Sequence, residues 1–295
     1  MKILVIGKDS QLGECIQDIS TERKNDNSLI FIGRDLLDLS RKENISDFFR
    51  NRYFDVVVNC AAFTQVDKAE TDYETANQIN HLAVKELAKI AQKQKFKLIH
   101  ISTDYVFDGK STKPYKESDQ PNPINAYGQS KLLGEKCIKE IMPINAIIIR
   151  TSWLYSEYGN NFVRTMINLG QVKEELSIIN DQTGSPTYAG DLAKVILEII
   201  NSNSFLINNE KTEIYHFSNN GVVSWFNFAK EIFRITNIEC KVNPIISDEY
   251  ISLAKRPLTS EMSNDKISNK YNIKLIDWTD SLENCIDKIL SKKYI

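Results

Sequence analysis

Short apolar runs alternate with longer segments of helical period over the first half of the chain. Ile3–Ile6, Leu29–Ile32, Val56–Val58, Leu98–Ile101 and Ala146–Ile149 show no polar–apolar alternation, the pattern of strands buried on both faces. Between them Gln11–Ile19, Ile45–Arg50, Tyr73–Gln94 and Asn125–Ile141 read as helices. Strands alternating with helices predict a parallel sheet with right-handed crossovers, an α/β doubly wound, Rossmann-like fold.

After Arg150 the pattern changes. Helices are expected at Phe162–Leu169, Asp191–Ile200, Trp225–Ile235 and Asp280–Leu290, a strand at Leu176–Ile179, and a polar loop over Asn180–Thr187. Ile214–Phe217 reads as a strand that rejoins the main sheet. The expected division is a first domain over 1–150 and a smaller, interleaved lobe over 151–295, with segments such as 214–218 returning to the sheet.

Composition narrows the function classes. The 295 residues suffice for a large core, and 37 basic residues against 39 acidic ones form no basic block, so nucleic acid and anionic membrane are not expected partners. No apolar stretch approaches the roughly 20 residues of a membrane span, and Met1–Gly7 is too short an apolar start for a signal peptide. Five scattered cysteines without a Cys-x-x-Cys argue against structural zinc and a disulfide framework. A cytoplasmic protein is expected.

Gly7-Lys8-Asp9-Ser10-Gln11-Leu12-Gly13 follows the first strand and opens the first helix, where a dinucleotide fold seats its pyrophosphate on backbone N–H groups. Ser10 stands where a middle glycine is usual, and its hydroxyl can donate to phosphate. An ordinary strand–helix turn accounts for the two glycines equally well. The second strand ends Ile32-Gly33-Arg34 without the acid that would grip the ribose hydroxyls of NAD. Arg34 and Lys8 can receive a 2′-phosphate, which favours NADPH over NADH; two plain surface cations are the alternative. Ala61 and Ala62, in Cys60-Ala61-Ala62-Phe63-Thr64, give a flat ring close approach to backbone, although packing explains them too.

The fourth strand ends Ser102-Thr103-Asp104-Tyr105, where a hydroxyl can bind a carbonyl oxygen or simply cap a turn. Tyr127 and Lys131 follow at i and i+4, on one helix face. An ammonium beside the phenol is expected to bring its pKa down from about 10, towards the working range of an acid–base catalyst.

In this order the pieces resemble the extended short-chain dehydrogenase/reductase superfamily. Val66-Asp67-Lys68-Ala69-Glu70, Ser102–Gly109, Arg150–Tyr155, Asn180–Thr187 and, more loosely, Arg256-Pro257 resemble the dTDP-4-dehydrorhamnose reductase family within it. The resemblance implies NADPH-dependent reduction of the C4 ketone of dTDP-4-dehydro-6-deoxy-L-mannose to dTDP-L-rhamnose, a precursor of cell-surface polysaccharide. It implies that Tyr127 donates the proton, Lys131 holds the nicotinamide ribose and Thr103 bonds the reacting oxygen. Asp104 and Trp153 would meet the substrate, although Trp153 also suits a core aromatic. Ser10, Gln11, Leu12, Asp38, Leu39, Phe63 and Thr64 would lie near the cofactor.

Tyr105 stands where sugar-nucleotide dehydratases carry a glutamate, which disfavours dehydration. Other sugar-nucleotide reductases or epimerases remain alternatives, as does a non-catalytic regulatory subunit like that of methionine adenosyltransferase, which resembles the same family. No catalytic metal is expected, and a homodimer stays open.

Overall fold

In the computed structural model, which describes residues 1–22, 27–206 and 211–292, the first half forms eleven elements. They are β1 (Lys2–Ile6), α1 (Gln11–Glu22), β2 (Ser28–Ile32), α2 (Lys42–Phe49), β3 (Val56–Asn59), α3 (Val66–Thr71), α4 (Tyr73–Asn77), α5 (Ala83–Gln94), β4 (Lys97–Thr103), α6 (Ala126–Ile141) and β5 (Ala146–Thr151). A π turn at Gln78–Leu82 joins α4 to α5, so the helix predicted over Tyr73–Gln94 runs through with one wide turn. Then come β6 (Leu154–Tyr155), α7 (Phe162–Gly170), β7 (Glu175–Ile179), β8 (Thr183–Gly184), β9 (Thr187–Tyr188), α8 (Ala189–Asn201) and α9 (Asn203–Leu206). The chain finishes with β10 (Glu213–His216), β11 (Val223–Ser224), α10 (Trp225–Thr236), β12 (Lys241–Ile245), α11 (Asp265–Tyr271) and α12 (Trp278–Lys292).

Six strands form one parallel sheet in the order β10-β5-β4-β3-β1-β2. Successive residues of β1 explain the unbroken apolar runs. Ile3 and Val5 pack with Ile16 of α1 and Leu192 and Ile196 of α8, while Leu4 and Ile6 pack with Ile45 of α2, Leu87 of α5 and Ile138 of α6. Both faces are covered, so both sets of side chains are apolar, each worth about 1.5–3 kcal/mol when fully buried.

The strand predicted at Ile214–Phe217 does rejoin the sheet, as β10 beside β5. More of the second half returns than that strand, because α8 and Ile267 of α11 also pack on the sheet. A separate core of Val163, Ile167, Phe228, Ile232, Leu282 and Ile286 holds α7, α10 and α12 together as the smaller lobe, flanked by the parallel ribbon β7–β12. The loop expected over Asn180–Thr187 contains two-residue pairings, β8 with β11 and β9 with β6, too short and polar to leave a periodic signal.

From β1 the chain steps outward to β2 and then back past β1 to β3. The crevice at the C-terminal ends of β1 and β3 is therefore the topological switch point, where open α/β sheets bind ligands.

Candidate active site

A cleft of about 880 Å³ follows that edge, from Arg34 at one end to Trp153 and Trp225 at the other. Gly7 starts its nucleotide end with φ +91°, and a Cβ there would lie 2.9 Å from the Ala61 nitrogen. Gly13 does a different job from the one expected. A Cβ on it would lie 2.1 Å from the Gly7 oxygen, so it lets α1 rest on the turn and is absent from the cleft wall.

Ser10 also departs from expectation. Its hydroxyl donates to the Gly7 oxygen at 2.7 Å and accepts from the Gly13 N–H at 3.1 Å, which commits it to closing the turn. Ser10 nonetheless lines the cleft, as do Gln11 and Leu12, and first-turn N–H groups of a helix lack intrahelical partners and carry partial positive charge. The Gln11 side chain is occupied elsewhere, accepting from Ser156 at 3.0 Å and Asn161 at 2.9 Å. A close backbone cradle with free helix donors fits a dinucleotide pyrophosphate.

Arg34, Asp38 and Leu39 line the far end. Arg34 is 76% exposed and lies 3.4 Å from Asp38, whereas Lys8 pairs with Asp35 at 3.5 Å. Burial raises the Asp38 pKa, but hydrogen bonds from Ser40 and the charges of Arg34 and Arg41 outweigh it and hold the carboxyl below its usual range. Ala61, Ala62 and Thr64 form the wall after β3. Phe63 does not. Its N–H donates to Asn80 Oδ1 at 2.9 Å, its carbonyl accepts from Asn80 Nδ2 at 3.0 Å, and its ring packs with Tyr127, Ala69 and Ala76.

Tyr127 and Lys131 lie on the first turns of α6, which is anchored from three directions. Asn125 caps it by accepting from the Gly128 N–H at 2.8 Å and donates to the Lys255 carbonyl at 2.9 Å; Glu70 accepts from the Ala126 N–H at 2.8 Å. A Cβ on Gly128 would sit 2.1 Å from the Tyr105 carbonyl oxygen, so this glycine lets the helix approach the end of β4. Thr103, Asp104, Tyr127 and Lys131 all line the cleft there.

The electrostatics overturn one expectation. Burial raises the Tyr127 pKa above its ordinary value, the Asp104 charge adds to the rise, and only the neighbouring Thr103 hydroxyl opposes it. The Lys131 ammonium donates to the Ile101 carbonyl at 2.6 Å, and burial of the phenolate is the larger effect. The phenol therefore keeps its proton at neutral pH. Lys131 itself is pulled down to about 8 by burial, countered in part by Glu135.

Asp104 is buried and accepts from the Thr103 hydroxyl at 2.9 Å on Oδ1, and its Oδ2 has no hydrogen-bond partner among the described residues. Burial pushes its pKa up to about 7, against the lowering effect of hydrogen bonds led by that from Thr103. Because the folded value lies above the unfolded one, folded Asp104 binds the extra proton, and its contribution to stability is lost as pH rises from about 4 through about 7. We predict that Asp104→Asn becomes progressively more stable than the wild type over that range, by at most about 1.4 kcal/mol per pH unit. Urea unfolding at several pH values checks this; a constant difference would contradict it.

Trp153 faces the cleft at φ +47° with its ring stacked on Trp225, centroids 3.4 Å apart and planes 7° from parallel. Gly184 makes room for it, since a Cβ there would lie 2.8 Å from the indole. Trp225 carried no signal beyond a helix start, as only the tertiary fold brings it to the cleft. Asp67, in a phrase noted only for its resemblance, pairs with Arg256 at 2.5 Å and ties the late loop across α3.

Comparison with known proteins finds relatives along nearly the whole chain. The family model described as RmlD substrate binding domain matches residues 1–291. A dTDP-4-dehydrorhamnose reductase of Sinorhizobium fredii is 35% identical over 98% of each chain. A crystal structure of such a reductase from Clostridium acetobutylicum superposes with a TM-score of 0.91 at 39% identity, covering 98% of this chain and all of that one. One from Bacillus anthracis, in complex with NADP, gives 0.89 at 36% identity, covering 97% and 99%.

Proposed function

The chain belongs to the RmlD substrate binding domain family, and from that premise we infer that it reduces the C4 ketone of dTDP-4-dehydro-6-deoxy-L-mannose to dTDP-L-rhamnose. The observation that carries the reading is a buried Tyr127 beside Thr103 and Asp104 in the same cleft as the Gly7–Leu12 cradle. NADPH, when bound, supplies the hydride. Tyr127, and Thr103 once its hydroxyl turns from Asp104, hydrogen-bond the ketone oxygen, and Tyr127 transfers its proton as negative charge develops there. A high phenol pKa suits this direction of reaction, because the proton must be present at the start. Lys131 presents its ammonium to the nicotinamide ribose, and the paired indoles of Trp153 and Trp225 offer a flat face to the sugar.

The intact Thr103, Tyr127 and Lys131 favour an enzyme over the non-catalytic alternative, and the reductase relatives do the same. A soluble nucleotide-sugar substrate and NADPH suit a cytoplasmic enzyme. Arg34, exposed at the adenosine end, is the proposed 2′-phosphate partner. Arg34→Ala is expected to weaken NADPH binding about tenfold, the order of one charge-assisted hydrogen bond, and to leave NADH binding unchanged. Fluorescence titration with both cofactors measures this; equal losses for the two would contradict the assignment. The reading as a whole is tested by NADPH absorbance, which must fall only when the 4-keto sugar nucleotide is added.

A further inference from the structure

His100 lies on β4 directly behind Lys131, and the reaction above gives it no task. Its neighbours determine where its proton sits. Asn59 Oδ1 accepts from the Ala61 N–H at 3.2 Å, so the amide nitrogen faces the ring, with Nδ2 3.2 Å from His100 Nδ1. An amide NH2 group only donates, so Nδ1 accepts and a neutral ring carries its hydrogen on Nε2. Nε2 in turn lies 3.4 Å from Lys131 Nζ. An ammonium also only donates. Two sets of N–H bonds thus face each other across that gap, and Lys131 turns its bond to the Ile101 carbonyl at 2.6 Å. Burial, reinforced by the Lys131 charge, keeps the imidazole neutral.

We propose that His100, locked by Asn59 as the Nε2–H tautomer, is a positioning residue that directs the Lys131 ammonium onto the Ile101 carbonyl at the cleft and makes it easier to deprotonate. Burial already lowers the Lys131 pKa, and the other groups around it neither add to that nor turn the ammonium towards Ile101. Glu135, on the same helix, raises the Lys131 pKa and is itself held by Arg150 of β5 and Ser102 of β4. Tyr127, also on α6, is protonated. Asp104 follows β4 and acts on Tyr127.

The test uses the free protein, so its failure would leave the reductase reading standing. Two-bond 1H–15N correlation of the ring nitrogens of the three histidines reports the tautomer, with His100→Phe assigning the signal. Carbon-13 at Cε of labelled lysine, assigned with Lys131→Met, reports the Lys131 titration. The wild type is expected to show Nε2–H and a Lys131 midpoint near 8. Asn59→Asp, whose carboxylate only accepts, is expected to move the proton to Nδ1, free Nε2 for Lys131 and raise that midpoint by about one pH unit or more. The double variant Asn59→Asp/His100→Phe keeps the new charge without the ring and is expected to lose most of the rise. An Nδ1–H or charged ring in the wild type, an unmoved midpoint in Asn59→Asp, or an equal rise in the double variant would each overturn the proposal. Should Asn59→Asp fail to fold, the wild-type tautomer decides alone.

Discussion

Tyr127→Phe is expected to lower kcat by roughly 10²–10⁴-fold, the usual worth of a positioned general acid, while changing NADPH affinity far less. The ring stays, so its contacts with Phe63, Ala69 and Ala76 survive and the fold is retained. What disappears is the proton that meets the developing alkoxide. Single-turnover NADPH oxidation against cofactor titration separates the two effects. A variant that turns over at the wild-type rate would mean that the proton comes from elsewhere, and Asp104, which titrates near 7, would become the first candidate.

Glu135→Ala is expected to cost about 3–5 kcal/mol of folding stability, as when one partner of a buried ion pair is removed. Glu135 Oε2 accepts from Arg150 Nη2 at 2.6 Å and Oε1 accepts from Arg150 Nε at 2.9 Å, with both side chains 2% exposed. Ser102 donates to the same carboxylate at 2.5 Å. The truncation strands a guanidinium between β5 and α6, one turn beyond Lys131. The pair therefore ties the helix that carries Tyr127 and Lys131 to the sheet that carries Thr103. Replacing both partners by apolar residues of similar volume is expected to recover most of the loss. Urea unfolding measures both. A loss below about 1 kcal/mol, the range of exposed pairs, would show that water reaches the pair.

The sheet was legible because two covered faces erase alternation, leaving runs such as Ile3–Ile6 and Ala146–Ile149 that read directly as central strands. Tyr127 and Lys131 were legible because their relation is local, set by one helical turn. Properties set by distant chain were not. The spacing of Tyr127 and Lys131 predicts a lowered phenol pKa, yet the burial that reverses the sign comes from elements far away in sequence. Ser10 reads as a phosphate donor until the turn is seen to use its hydroxyl. Trp225 reaches Trp153 only through the smaller lobe, and β8 and β11 pair over two residues each, below the length at which periodicity exists.

The central claim is that this cleft delivers hydride to C4 from one face of the sugar while Tyr127 protonates the oxygen. The most direct measurement is NMR of the product formed from dTDP-4-dehydro-6-deoxy-L-mannose and NADPH deuterated at its hydride-donating position. The account predicts dTDP-L-rhamnose with a single deuterium, on C4. A product without deuterium at C4, or its C4 epimer, would contradict it.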